Sequence, residues 1–385
     1  MNRPRRAALA AAIFFVLAFA AYLLHVRKDM TDFGVGYGAG GRILAGETLY
    51  RVSDGHLQYK YAPVSALFYG LFGLLPREAA KAAWFGAVLA LLVGCASLTV
   101  KLLPDDGRRR VLAAGLALLV LAKYLGREIE LGQVNLLILF LLLAMVRAWT
   151  KGRDSAAGAL WALSLFFKPY AAVFLPYLIL KKKAKSLAAG LAVLVLGLAA
   201  PALIYGWKGN LAVLGEWASS LRQSTAGLLS VGDNASLLSF IFKTLGPGRQ
   251  ATSWLLFALA VLVLGLLFLW VFGRGRRCRE RPPEVLEAAF LLTLIPLLSP
   301  LGWIYNYLYG FLAVAVVLAN FRAYPPAVRW VLGANFVLVG ASLREVLGKA
   351  VFGFYTTRAL AAVQFLLVLA ALAYLRRFTS SPEAR

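Results

Sequence analysis

The sequence predicts an all-α polytopic membrane protein of about twelve transmembrane helices, with loops and short interfacial helices gathered on one face. Three observations lead there. Of 385 residues, 61% are hydrophobic and only 15% are charged. The apolar runs are too long and too many for one or two soluble domains of this length. Between them lie short, densely basic loops, the pattern that orients membrane proteins. Those loops account for the net charge of +24. No basic stripe with interleaved aromatics stands outside the apolar runs, so a nucleic-acid partner is not expected.

The chain opens on "MNRPRR" and an apolar run over 9–24. This start looks like a secretory signal, and Ala18-Phe19-Ala20 would pass for a cleavage site. The run continues past that site, so it reads as an uncleaved first span. Further apolar runs cover 80–103, 111–125, 134–149, 157–167, 170–180, 187–205 and 251–272, then 286–298, 303–320, 327–343 and 359–375. Lys168-Pro169 interrupts one pair, because proline breaks a helix; two short tilted spans or a broken pair buried in protein result. The run 63–75, "PVSALFYGLFGLL", is too short for a straight span and reads as a half-span or interfacial helix.

With the N-terminus inside, "DDGRRR", "KGRD", "KKKAK", "GRGRRCRER", the 322–329 turn and the tail fall on the cytoplasmic face. Lys182 and Arg277 are therefore expected inside and Ser236 outside. The outer face collects 29–63, 126–133, the Lys168-Pro169 break, 206–250 and 299–307. No repeat, heptad or linker divides the chain. It reads as one integral domain over 1–378 with a short polar cytoplasmic tail over 379–385.

The stretch 29–63 is the first polar segment after an apolar helix, and it holds Asp29, Asp32, Glu47 and Asp54. Carboxylates at a bilayer are costly, so they are retained where they act. Asp32 stands beside the series Gly34, Gly36, Gly38, Gly40 and Gly41, which reads as close approach of a flat ligand or, equally, as a helix-packing face capped by Asp32. Arg127, Glu128, Glu130, Gln133 and Asn135 read as a binding cluster or as a polar turn with Arg127 paired to an acid. Lys168, alone before a helix-breaking proline, suits a phosphate held by charge and freed backbone N–H groups; a snorkelling lysine is the plainer reading. Trp303, Tyr305, Asn306, Tyr307 and Tyr309 offer stacking faces for a sugar or form an interfacial belt. His25 and His56 are far from metal-ligand spacing, and Cys95 and Cys278 form neither a metal pair nor a disulfide framework. No metal or cofactor is expected.

Taken in order, "DFGVGYGAGGRILAGETLY…YKYAP", "GQVNLLILFLLLAMVRAW", "ALWALSLFFKPYAAVFLPYLIL", "NASLLSF" and "LLSPLGWIYNYLY" resemble glycosyltransferase family 87. The resemblance covers most of the chain. It implies a GT-C-like bundle and a polyprenyl-phosphate-mannose-dependent mannosyltransferase of a bacterial plasma membrane. It maps the family's acid after the first span to Asp32, its Gly-Gln-x-Asn to Gly132, Gln133 and Asn135, and its Lys-Pro to Lys168-Pro169. Where the family often carries a His next to Tyr, this chain has Asn306, which moves the phosphate-binding role to Lys168 or an arginine such as Arg127. The implied reaction is an inverting single displacement with Asp32 as general base. Gln133, Asn135, Trp303, Asn306 and Tyr307 would bind sugar or acceptor. The implied partners are a polyprenyl-phosphate sugar donor, a lipid-linked or glycan acceptor and membrane lipids. The rivals are a lipid-linked sugar flippase or transporter, and a glycan polymerase or ligase using a lipid diphosphate.

Overall fold

The computed structural model describes residues 19–103, 107–223, 228–273 and 283–378. The first span up to Ala18, Arg277, Cys278 and the tail from Thr379 lie outside the described residues. Among the described residues all regular structure is helical, apart from one isolated antiparallel bridge between Asn234 and Trp303. The helices are α1 (19–24), α2 (Thr31–Leu44), α3 (Pro63–Gly73), α4 (Arg77–Leu102), α5 (Gly107–Val120), α6 (Ala122–Leu131), α7 (Asn135–Trp149), α8 (Asp154–Phe167) and α9 (Leu175–Leu180). They continue with α10 (Ala184–Ala199), α11 (Ala202–Gln223), α12 (Leu237–Leu245), α13 (Gln250–Phe272), α14 (Pro283–Leu298), α15 (Phe311–Ala319), α16 (Pro326–Ala341), α17 (Arg344–Thr357) and α18 (Ala361–Phe378).

Two described helices, α4 and α13, are long and apolar enough to cross a membrane alone, and only 28% of the apolar window of each is buried. Apolar helices that leave most of their surface uncovered need lipid around them. The opposite case is α14, whose residues from Val285 to Leu297 are all buried. It is the central helix, wrapped by α15, α18 and the 3-10 segment Ile304–Gly310. Near its start, the buried Glu287 accepts from Lys181 Nζ at 2.6 Å and from Tyr177 OH at 2.8 Å.

The remaining apolar runs do not become straight spans. Helices α10 and α11 meet at 93°, and α16 and α17 at 101°, so each pair is a broken span or a re-entrant segment. Counting each pair once, four described spans qualify by length and composition. The reason is local. Pro201 separates the first pair, and Gly206 inside α11 adopts φ +66°. Much of 206–250, expected as an outer loop, is helical, and 126–131 continues α6 as an amphipathic helix. Ser236 is buried and caps α12, its side chain accepting from Ser239 N at 3.0 Å.

Within the glycine series of α2, Gly36 and Gly40 form a packing face against α3. A Cβ on Gly40 would lie 2.5 Å from the Tyr69 carbonyl carbon and 2.6 Å from Gly70 N, both backbone atoms of α3. Gly38, one face round, has open space. Helix α3 has 11 residues, about half the rise needed to cross a bilayer. Crossing so closely, α2 and α3 act as one unit. Gly40→Ala is expected to destabilise the protein by about 1–3 kcal/mol through overpacking, and Gly38→Ala to leave it unchanged. Thermal unfolding of the two variants in detergent checks the contrast.

Candidate active site

Asp32 lies in the first turn of α2, where a carboxylate favours the helix dipole. Its neighbours fix its position. Met30 N donates to Glu130 O at 2.9 Å, tying the start of α2 to α6. Phe33 stacks on Trp84 with centroids 5.7 Å apart, and Trp84 Nε1 donates to Gly132 O at 2.9 Å. Gly132 ends α6 in the left-handed region, φ +64°, and a Cβ there would lie 2.7 Å from Phe33 Cβ. Glycine is therefore required both for the turn and for the contact. The turn delivers Gln133 to Asp32.

Five side chains then form a continuous line. Gln133 Nε2 donates to Asp32 Oδ2 at 2.6 Å, while Gln133 Oε1 accepts from Lys168 Nζ at 3.0 Å. Lys168 Nζ also donates to Asn135 Oδ1 at 3.0 Å, and Asn135 Nδ2 donates to Glu128 Oε2 at 2.7 Å. Glu128 Oε1 accepts from Leu136 N at 3.0 Å, which caps α7. Charges therefore alternate from Asp32 through Lys168 to Glu128, with an amide between each pair. Lys168 reaches this line because Pro169 forces the preceding residue out of the helix; Lys168 has φ −146°, ψ 139°. Its ammonium stands 5.5–5.9 Å from the rings of Tyr61, Tyr170 and Tyr305, within cation–π range.

Asp32, Gln133 and Lys168 form one wall of a polar cavity of about 580 Å³, with Asn135 and Glu128 buried behind them. Arg127 reaches the same cavity but is paired with Glu130 at 2.8 Å. Trp303 and Tyr305 also line it. Ala235 N donates to Gly302 O at 2.8 Å and Ile304 N to Asp233 O at 2.9 Å, so 233–235 holds Trp303 in place. Asn306 stands behind the wall, its Nδ2 donating to Tyr170 OH at 3.1 Å.

Tyr307 is turned away. It is buried, donates to Ala235 O at 2.6 Å and packs on Phe365 at 4.5 Å. The segment is a 3-10 helix, so residues two apart face different sides, and Tyr305 takes the cavity while Tyr307 takes the core. The structure thus joins Asp32, Gln133, Asn135 and Lys168, sets Arg127 and Trp303 around the same cavity, and separates Tyr307 from it.

Among the cavity groups that escape the sequence reading are Lys60, Tyr61, Tyr170 and Asp233. Lys60 and Tyr61 belong to the extended segment before Pro63. Tyr50 OH donates to Tyr61 O at 2.6 Å, Trp217 Nε1 to Lys60 O at 3.1 Å, and Ala62 N to Phe166 O at 2.9 Å. Burial pushes the Lys60 ammonium below its ordinary pKa, and Asp32 opposes that shift. The only signal in the sequence was a cation between two tyrosines ahead of a proline.

Glu128 is fully buried and compensates a buried cation, whereas Glu130 makes a half-exposed pair. Glu128→Ala is expected to cost roughly 3–5 kcal/mol, and Glu130→Ala less than about 1 kcal/mol. Thermal unfolding of the variants checks this difference.

No curated protein and no solved structure matches the chain. The model of the family described as "Glycosyltransferase family 87" matches residues 59–300. That interval begins at the segment carrying Lys60 and Tyr61, includes Gln133 and Lys168, and ends at Pro300 beside Trp303. It takes in well over half the chain and most of the cavity wall, and on that match the chain belongs to glycosyltransferase family 87.

Proposed function

We propose that this glycosyltransferase moves a hexose, mannose by its family resemblance, from a polyprenyl-phosphate sugar to a lipid-linked or glycan acceptor on the outer face of a bacterial plasma membrane. One observation carries the choice of a lipid donor. The polar cavity shares Phe167 with an apolar groove of about 530 Å³ between α3, α7, α8 and α10. That groove in turn shares Phe68 and Leu137 with a third apolar cavity of about 390 Å³. A charged head in the first space and a prenyl tail in the other two match this sequence of polar and apolar walls. A nucleotide sugar would leave the apolar spaces unused.

In this reading Asp32 is the general base. Its Oδ2 is held by Gln133, and the residue lines the cavity. The acceptor hydroxyl gives its proton to Asp32 as its oxygen bonds to the anomeric carbon. The bond from that carbon to the phosphate oxygen breaks, the configuration inverts, and polyprenyl phosphate leaves with two negative charges. Lys168, with Arg127, supplies positive potential for the departing phosphate. Trp303 and Tyr305 offer the sugar a stacking face, and Asn306 braces Tyr170 behind them.

Asp32→Asn keeps the shape and the Gln133 contact region but removes the base. It is expected to lower transfer about 10²–10⁴-fold with normal membrane insertion. Protein in lipid nanodiscs, offered polyprenyl-phosphate-mannose or GDP-mannose with a lipid-linked mannoside acceptor, checks the donor: transfer is expected only from the lipid phosphate. Equal transfer from GDP-mannose would overturn the reading. For the face of the membrane, single cysteines at the exposed positions of Lys182 and Asp233 are the probes. An impermeant thiol reagent on intact cells is expected to label position 233 and spare 182.

A further inference from the structure

Three cations line the polar cavity: Lys60, Arg127 and Lys168. An ammonium or guanidinium holds a phosphate through N–H donors that point at it. The structure has already committed some of those donors. Lys168 gives two of its three to Gln133 and Asn135 and is only 9% exposed. Arg127 is turned toward Glu130. Lys60 is different: it lines the cavity, it is half-buried, and its ammonium has no hydrogen bond or ion pair among the described residues.

Its backbone is also firmly held. The Trp217 indole clamps the Lys60 carbonyl from α11, and the hydroxyl of Tyr50 clamps the carbonyl of Tyr61. On the other side of Tyr61, Ala62 N is tied to Phe166 O at the end of α8. The Tyr59 hydroxyl shares a hydrogen bond of 2.6 Å with Ser65 Oγ. A cation on a backbone pinned from both sides keeps its place without a counter-ion of its own. Partial burial without a hydrogen-bonded partner is unfavourable, Asp32 offsets only part of it, and an anion entering the cavity relieves the rest.

The groove points the same way. Val64 and Ser65 line the apolar groove a few residues after Lys60, and Phe167 lines it immediately before Lys168. The two segments that flank the mouth of the groove therefore each carry a lysine into the cavity. A phosphate at the head of a chain lying in the groove would enter between them. Of the two, Lys60 has all three N–H donors unused.

We propose that Lys60 is the direct ligand of the donor's phosphate, and that Lys168 acts chiefly as a positioning residue that orients Gln133 and, through it, Asp32. The assignment rests on the lipid-phosphate reading above. It adds that the direct N–H contacts to the leaving phosphate come from the 58–62 segment, while Lys168 and Arg127 act on it through their charge at a distance.

Binding of undecaprenyl phosphate and of undecaprenol to the full-length protein in nanodiscs tests it, with Lys60→Met and Lys60→Arg as variants. Met keeps the apolar stem, so the fold is retained, and the thermal transition verifies this. Wild type is expected to prefer the phosphate. Lys60→Met should lose about 10- to 100-fold in affinity for the phosphate and nothing for the alcohol, while Lys60→Arg should recover most of the loss. Lys168→Met should lower the rate of transfer more than it lowers phosphate affinity. If wild type prefers the phosphate and Lys60→Met binds it as tightly, the assignment to Lys60 is overturned alone. If wild type binds phosphate and alcohol equally, the lipid-phosphate reading falls and the assignment with it.

Discussion

The Gln133 amide between a carboxylate and an ammonium is the contact on which the cavity depends. Asp32 can only accept a hydrogen bond and Lys168 can only donate one, so the amide has a single orientation that satisfies both. That orientation joins the start of α2, the end of α6 and the break after α8 at one point. These elements are far apart in the chain. Gly132 makes the contact reachable, because only a left-handed residue turns the chain from α6 so that Gln133 faces Asp32 while Phe33 packs beneath.

A line of charges inside so apolar a chain is stable only if it is internally balanced. Low dielectric surroundings strengthen each hydrogen bond and make each unpaired charge costly. The alternation of Asp32, Lys168 and Glu128, separated by Gln133 and Asn135, meets that requirement. Glu128 adds a further connection by capping α7, so the balance of charge and the start of a helix are fixed by one side chain. Away from this cavity, Glu287 is balanced by Lys181 and Tyr177 in the same way. The central helix α14 starts near that second cluster and leads to Ser299 and Pro300 at the cavity wall.

The polar cavity and the apolar groove follow from the same break in the chain. Pro169 ends α8, exposes Lys168 to the cavity and leaves Phe167 between the two spaces. The close crossing of α2 and α3 through Gly40 sets the opposite side, with Phe68 packed edge-on against Phe167 at 5.2 Å. Aromatic edges of this kind, each worth about 0.5–1.5 kcal/mol beyond area burial, keep the passage between head and tail spaces defined.

The sequence by itself determined the helical class, the lipid-facing character of α4 and α13, the break at Lys168-Pro169, and the identity of Asp32, Gln133, Asn135 and Lys168 as groups of interest. Each of these is local: apolar length, a proline's fixed backbone, or a polar residue where polarity is costly. The tertiary structure alone decided which groups meet. The 93° and 101° bends of the two broken pairs are not visible in the apolar runs themselves. Tyr305 and Tyr307 have the same side chain in one short motif, yet the 3-10 winding of 304–310 gives one to the cavity and the other to the core. Glu128 and Glu130 are two residues apart and alike in sequence, but only Glu128 faces the buried line. Lys60 became visible only when its neighbours were seen to be bonded elsewhere. Pairing is a property of the folded chain, because the partner of a buried charge is chosen by distance in space and not by position along the sequence.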